Sequence, residues 1–253
     1  RMDGNFMHSK VKDKDGFGLT AGYGYTPSKN FYSGIGIKYY DDRFDLNDMG
    51  YLILNDRLMF NGRTQFKRTT FREGSVLRSR LFEIGYGSKF NVDSERESSN
   101  FALKLENNFV NLSEIKAEVF YRSTGRNTRI TRGSKFAPFI KMPKGMGGYI
   151  DFTGPRRPTY VYGLRFERGR GSEHSPELGW GTKSRGYLKY MPTDTLSFSL
   201  MYQHQRENEW LNWYGDNLLA TFKRKQRTSV VEMEWFRNNI HELRIKAQTV
   251  SYT

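Results

Sequence analysis

Side chains able to do chemistry are sparse in this chain. Its 253 residues include no cysteine, which removes disulfides, thiolate metal sites and a cysteine nucleophile together. The four histidines are His8, His174, His204 and His241. No two stand at a metal-ligand spacing, and H-E-x-x-H is absent. The G-x-S-x-G elbow is absent too, so a serine nucleophile would have to meet its base across strands. His204 beside the Ser197 and Ser199 face is the one pairing of that kind, and no catalytic set is assigned. Asp41, Asp42, Asp45, Asn47 and Asp48 gather the oxygen ligands that calcium takes. Their spacing is not that of an EF-hand loop and Arg43 interrupts it, so a solvated or salt-bridged loop is the preferred reading. No cofactor is expected.

Charge is the stronger signal. Lys+Arg number 41 against 27 Asp+Glu, a net +14. Between Arg122 and Gly148 stand Arg122, Arg126, Arg129, Arg132, Lys135, Lys141 and Lys144, with no acid among them. Such a loop offers itself to anions: lipopolysaccharide phosphates, an acidic partner or an acidic solute. Nucleic acid is not expected, because stacking aromatics are not interleaved with these cations.

A second set of charges is paired. Setting Lys104 opposite Glu118 and Glu106 opposite Lys116 leaves Val110-Asn111-Leu112 as a three-residue turn. Setting Glu232 opposite Lys246 and Glu234 opposite Arg244 leaves Asn238-Asn239-Ile240 as another. The same registers bring Leu103 to Val119 and Met233 to Ile245 on the reverse faces. A one-residue slip would exchange the faces, and a two-residue slip would set like charges opposite each other. Asn111-Leu112-Ser113 matches a glycosylation sequon but reads as the hairpin turn.

The elements that must position these residues are strands. Period-two alternation runs through Phe17–Tyr25, Phe101–Val110, Ile115–Arg122, Tyr160–Glu167 and Leu196–Gln203, and no long segment keeps a helical period. Short connectors are read at 26–30, Asn61-Gly62, 111–113, 192–194 and 238–240; long ones at 41–49, 123–147, 169–177 and 205–215. The pattern accommodates roughly 12 to 14 strands of about 10 residues, the length a tilted membrane strand needs. Residues 1–15 read as a polar lead-in and 16–253 as one all-β domain. Mean hydropathy is −0.76, yet aromatics are 15%, unlike a disordered chain. No run of about 18 apolar residues supplies a membrane helix.

Alternation leaves open which face meets water. Polar faces rich in Gly, Ser, Lys, Glu and Arg, connectors of two sizes, and rings near strand ends (Tyr39, Tyr40, Tyr51, Tyr187, Tyr190, Trp210, Trp213, Trp235 and Tyr252) favour an antiparallel transmembrane β-barrel with its charge pairs turned into the lumen. The segments Tyr23–Phe31, Gly34–Tyr40, Asn47–Tyr51, Phe222–Arg227, Glu234–Phe236 and His241–Gln248 resemble a poorly characterised family of Gram-negative outer-membrane proteins. That family joins an N-terminal sandwich, similar to family-nine carbohydrate-binding modules, to a C-terminal β-barrel. The resemblance implies a bacterial outer-membrane location, a barrel that is a segment of a longer chain, and no catalytic residue. The expected role is that of a pore, conduit or anchor of a larger envelope protein or complex, with lipid bilayer, lipopolysaccharide and other envelope proteins as partners. An outer-membrane hydrolase acting on glycans and a soluble β-sandwich binding polyanions are the alternatives.

Overall fold

The computed structural model describes residues 1–11, 14–44, 56–91, 96–127, 139–170, 178–215, 218–236 and 241–253. Alternating sequences rich in aromatic and β-branched residues favour a pleated backbone, and the described chain is all-β. The strands are β1 (Met2–Val11), β2 (Lys14–Ser28), β3 (Phe31–Tyr40), β4 (Arg57–Arg68), β5 (Leu77–Phe90), β6 (Arg96–Phe109), β7 (Glu114–Arg122), β8 (Gly125–Asn127), β9 (Ile140–Met142), β10 (Gly145–Thr153), β11 (Tyr160–Arg170), β12 (Gly181–Thr193), β13 (Leu196–Gly215), β14 (Leu218–Phe236) and β15 (Glu242–Tyr252). Thirteen of them form one antiparallel sheet in chain order, β1 to β7 and then β10 to β15; β8 and β9 pair separately. Among the described residues no ladder joins the first strand of that order to the last.

The chain divides into two compact units. One comprises Arg1–Lys67, Phe82–Leu103 and Phe120–Lys144, the other Arg68–Leu81, Lys104–Val119 and Gly145–Thr253. In the second, the registers line up residues across five strands. Tyr160, Tyr190, Phe198, Met233 and Ile245 fall in one row, and Tyr162, Leu188, Leu200, Val231 and Ala247 in the next, all on one face. In the first, Phe6 meets Leu19, Tyr23 meets Ile35, and Ile35 meets Gly62 on the corresponding face. The β14–β15 register is the one the charges specify: Glu232 opposite Lys246 and Glu234 opposite Arg244. Its turn at 238–240 lies outside the described residues. The β6–β7 turn is closed as expected. The Phe109 N–H donates to the Ser113 carbonyl at 2.9 Å, Asn111 Oδ1 accepts from the Ser113 N–H and hydroxyl, and Leu112 takes a positive φ of 67°.

Several boundaries differ from the sequence reading. Residues 1–15 are no lead-in: β1 pairs with β2 along its whole length, its alternation having been hidden by Gly4 between Met2 and Phe6. Asn61-Gly62 is no turn, because both residues lie within β4, opposite Gly36 and Ile35. The connector expected over 205–215 is a continuation of β13, paired with β14 through a register shift between Glu207 and Trp210. Two other shifts fall where prolines remove a ladder donor: Tyr25/Ser28 at Pro27 and Tyr190/Thr193 at Pro192.

Burial is reversed from that of a sandwich. Among the described residues the buried hydrophobic side chains are Phe44, Met142 and Leu211. Apolar side chains on the face of those rows are exposed instead: Leu164 by 62%, Ile150 by 58%, Ile245 by 53%.

Candidate functional site

The polar face of the second unit carries a continuous set of charged side chains, each placed there by strand alternation. Glu234 on β14 is its most connected member. It accepts from Lys189 Nζ of β12 at 3.0 Å and from the Ser197 hydroxyl of β13 at 3.1 Å. Arg244 of β15 stands 3.6 Å from its other oxygen and also pairs with Glu242. One carboxylate thus ties four strands, and its side chain is 20% exposed. Further along the face, Arg165 lies 3.5 Å from Asp151 and 3.3 Å from Glu167, with its guanidinium 3.9 Å from the centre of the Tyr149 ring. The Tyr149 hydroxyl donates to Glu118 at 3.3 Å. Glu207 pairs with Arg224.

Not every expected pair is an ion pair. Lys104 approaches Glu106 of its own strand at 3.7 Å, and Lys116 donates to Glu114 at 2.8 Å. Lys and Glu side chains two residues apart share a face, so neighbours along a strand compete with those across it. The Ser123 N–H donates to the Ser99 carbonyl and the Phe109 N–H to Ser113, and both bonds belong to the register that sets Lys104 opposite Glu118 and Glu106 opposite Lys116.

Tyrosine rings also settle on this face where glycine leaves room. Tyr187 stands opposite Gly163, and a Cβ on Gly163 would come within 2.5 Å of its ring. Tyr187, expected among the rings at strand ends, therefore belongs to the polar face. In the first unit Tyr32 lies against Gly34 in the same manner. A cavity of about 1060 Å³ opens there, lined by Arg1, Asp3, Tyr32, Lys38, Asn61 and Arg63 over the glycines of β2 and β3. Elsewhere in that unit Arg57 and Glu97 pair at 3.1 Å, and Gln65 donates to Glu83.

The basic stretch is not one loop. Arg122 ends β7 on the polar face and is buried, with Nη2 unpartnered; alternation from Lys116 and Glu118 carries it there. Arg126 lies in β8 with its guanidinium 4.2 Å from the Phe139 ring centre, while Lys141 and Lys144 are exposed. Arg129, Arg132 and Lys135 lie outside the described residues. In the acidic cluster, Asp41 caps backbone, accepting from the N–H groups of Phe17 at 2.8 Å and Arg43 at 3.0 Å. Asp42 is described; Asp45, Asn47 and Asp48 are outside the described residues. Among the described residues no three acids or histidines assemble into a metal site.

His204 and Ser199 occupy opposite faces of β13. Ser199 stands opposite Lys189 and Glu232, whereas His204 stands opposite Ser184 and Arg227. An odd and an even position on one strand cannot converge, so the Ser–His pairing fails. Ser184 and His204 do share a face, but its registered positions from β10 to β15 hold no acid to orient the imidazole.

No family model matches the sequence, nor does any curated protein. A solved chain from work on the in-meso crystallization of membrane proteins aligns over 97% of this chain and 83% of its own length, at 13% identity and a TM-score of 0.37. A likeness at that level carries no argument.

Proposed function

We propose that the chain is a transmembrane β-barrel of a bacterial outer membrane, serving as a pore, conduit or anchor of a larger envelope protein or complex. One observation carries the reading: in the second unit the exposed face of the sheet is apolar over most of its length and the less exposed face is ionic. In water that arrangement would leave rows of Leu, Ile, Val and aromatic side chains solvated while charges lost hydration. In lipid both choices are favourable, since hydrocarbon meets hydrocarbon and the charges answer one another around a wet interior. Tyr160, Tyr190, Phe198 and Trp235 stand near the β12–β13 connection, where aromatic rings suit a headgroup level. The terminal motifs that resemble the sandwich-barrel family agree with this location, and the mixed signs on the polar face favour a conduit of modest charge preference over a strongly selective one.

The experiment is purification with and without detergent, followed by reconstitution. The protein should require detergent to stay monodisperse and should raise the ion conductance of a planar bilayer if it is a pore. Monodisperse protein without detergent would overturn the membrane reading; insertion without conductance would leave the anchor role.

A further inference from the structure

The apolar face of the second unit changes character toward one end of β11 to β14. After Leu164, Gly186, Tyr202 and Ser229 comes the row Phe166, Ser184, His204 and Arg227, and then Arg168, Thr182, Arg206 and Lys225. Arg168, Arg206, Lys225 and Arg227 are exposed, and among the described residues none has an acid as partner. Arg168 and Arg170 hold their guanidinium groups 5.2 and 5.8 Å from the Trp180 ring centre. Arg206 stands directly opposite Lys225, an arrangement that destabilises a sheet when nothing neutralises it. On the reverse face of the same strands Glu207 stands opposite Arg224 and Glu167 opposite Lys183. Every acid at a registered position of β10 to β15 is on that reverse face. Beside the cations, missing side-chain volume at Gly186 leaves a groove of about 530 Å³ lined by Ile150, Phe152, Leu164, Phe166 and Tyr202.

We propose that this cluster binds the phosphate groups of a membrane lipid whose acyl chain lies in the adjoining groove. The inference rests on the membrane reading above. Guanidinium groups grip phosphate through paired N–H donors. Neighbouring strands lie about 4.8 Å apart, so Arg206 and Lys225 converge on one phosphate. Arg168, two strands away at about 10 Å, serves a second. A lipid bearing two phosphates on one headgroup therefore fits the spacing, and the apolar groove sets it apart from a free anion. Along β11, Tyr160 to Arg168 covers roughly 27 Å at about 3.4 Å per residue, or roughly 20 Å at a tilt of ~40°. Rings and cations thus bracket an apolar band about 10 Å shorter than the ~30 Å hydrocarbon core of an average bilayer.

The test uses the full chain in a neutral detergent, with lipid adducts read by native mass spectrometry. Diphosphoryl lipid A should be retained, phosphatidylcholine should not, and millimolar inorganic phosphate should not displace the lipid. The double variant Arg206→Gln/Lys225→Gln should weaken lipid A retention about tenfold, while Lys183→Gln on the other face should leave it unchanged. Equal retention by the double variant, equal retention of phosphatidylcholine, or displacement by inorganic phosphate would each overturn the proposal. Should the variant not fold, wild-type retention still decides, since it must fall as salt rises; a flat response refutes the site. Dialysis out of detergent separates the two readings. A soluble, monodisperse chain removes the membrane reading itself, whereas aggregation with no lipid preference removes the cluster alone.

Discussion

Leu164 illustrates how a single position tests the facing of the sheet. It is among the most exposed aliphatic residues and sits midway between the aromatic and cationic rows. Leu164→Arg should cost roughly 2–4 kcal/mol when refolding into lipid is followed by denaturant titration; a neutral result would mean that the face is wet. Gly163→Val tests the reverse face. A branched side chain would displace the Tyr187 ring and approach the Phe152 carbonyl, 2.9 Å from a Cβ, and overpacking of this kind costs about 1–3 kcal/mol. An unchanged unfolding midpoint would show that the ring moves freely. At the β6–β7 turn, Leu112 occupies a left-handed conformation that suits glycine. Leu112→Gly should stabilise by about 0.5–1 kcal/mol, measured as a raised midpoint.

At the scale of the element, register is where charge acts. Each exposed cross-strand pair contributes only about 0.2–1 kcal/mol, so the pairs choose among alignments more than they hold them. Glu234→Arg would set a cation against Lys189 and Arg244 together and should cost about 1–2 kcal/mol. Adding Arg244→Glu should recover part of that loss and no more, because Lys189 remains opposed. Full additivity of the two substitutions would show that Glu234 and Arg244 do not interact. The β14–β15 alignment was legible in the sequence because polarity and sign agree there: Glu232, Glu234, Arg244 and Lys246 admit one register. The three-residue turn at Val110–Leu112 was legible for the same reason. Other features were not. Asn61-Gly62 has turn chemistry but is held in β4 by ladders to β3, a tertiary choice that local propensity does not encode. The extension of β13 to Gly215 was masked by polar and aromatic residues that break the alternation after Gln205. Lys225 and Arg227 are neighbours on one face of β14, but Arg206 lies far from them in sequence, and only the pairing of β13 with β14 brings it to them.

For the molecule as a whole, composition foretold strands and an excess of cations but not their distribution. The described cations of the second unit are divided between its faces: on one they interlock with acids, while Arg168, Arg206, Lys225 and Arg227 gather at one end of the reverse face. On the membrane reading proposed above, the rows that bracket the apolar band would set a preferred bilayer thickness. A span of roughly 20 Å is shorter than the ~30 Å hydrocarbon core of an average membrane. In thick bilayers either the lipid must thin around the protein or the cations must sink below the phosphates, and both carry an energetic cost for each ångström of mismatch. Refolding yield should therefore be highest in vesicles of short acyl chains and fall steadily as the chains lengthen. A yield that does not depend on chain length would mean that the rings and cations do not mark the two edges of the band. The distance between two rows of side chains would thus act as a sorting signal, retaining the protein in the thinner of the membranes it meets.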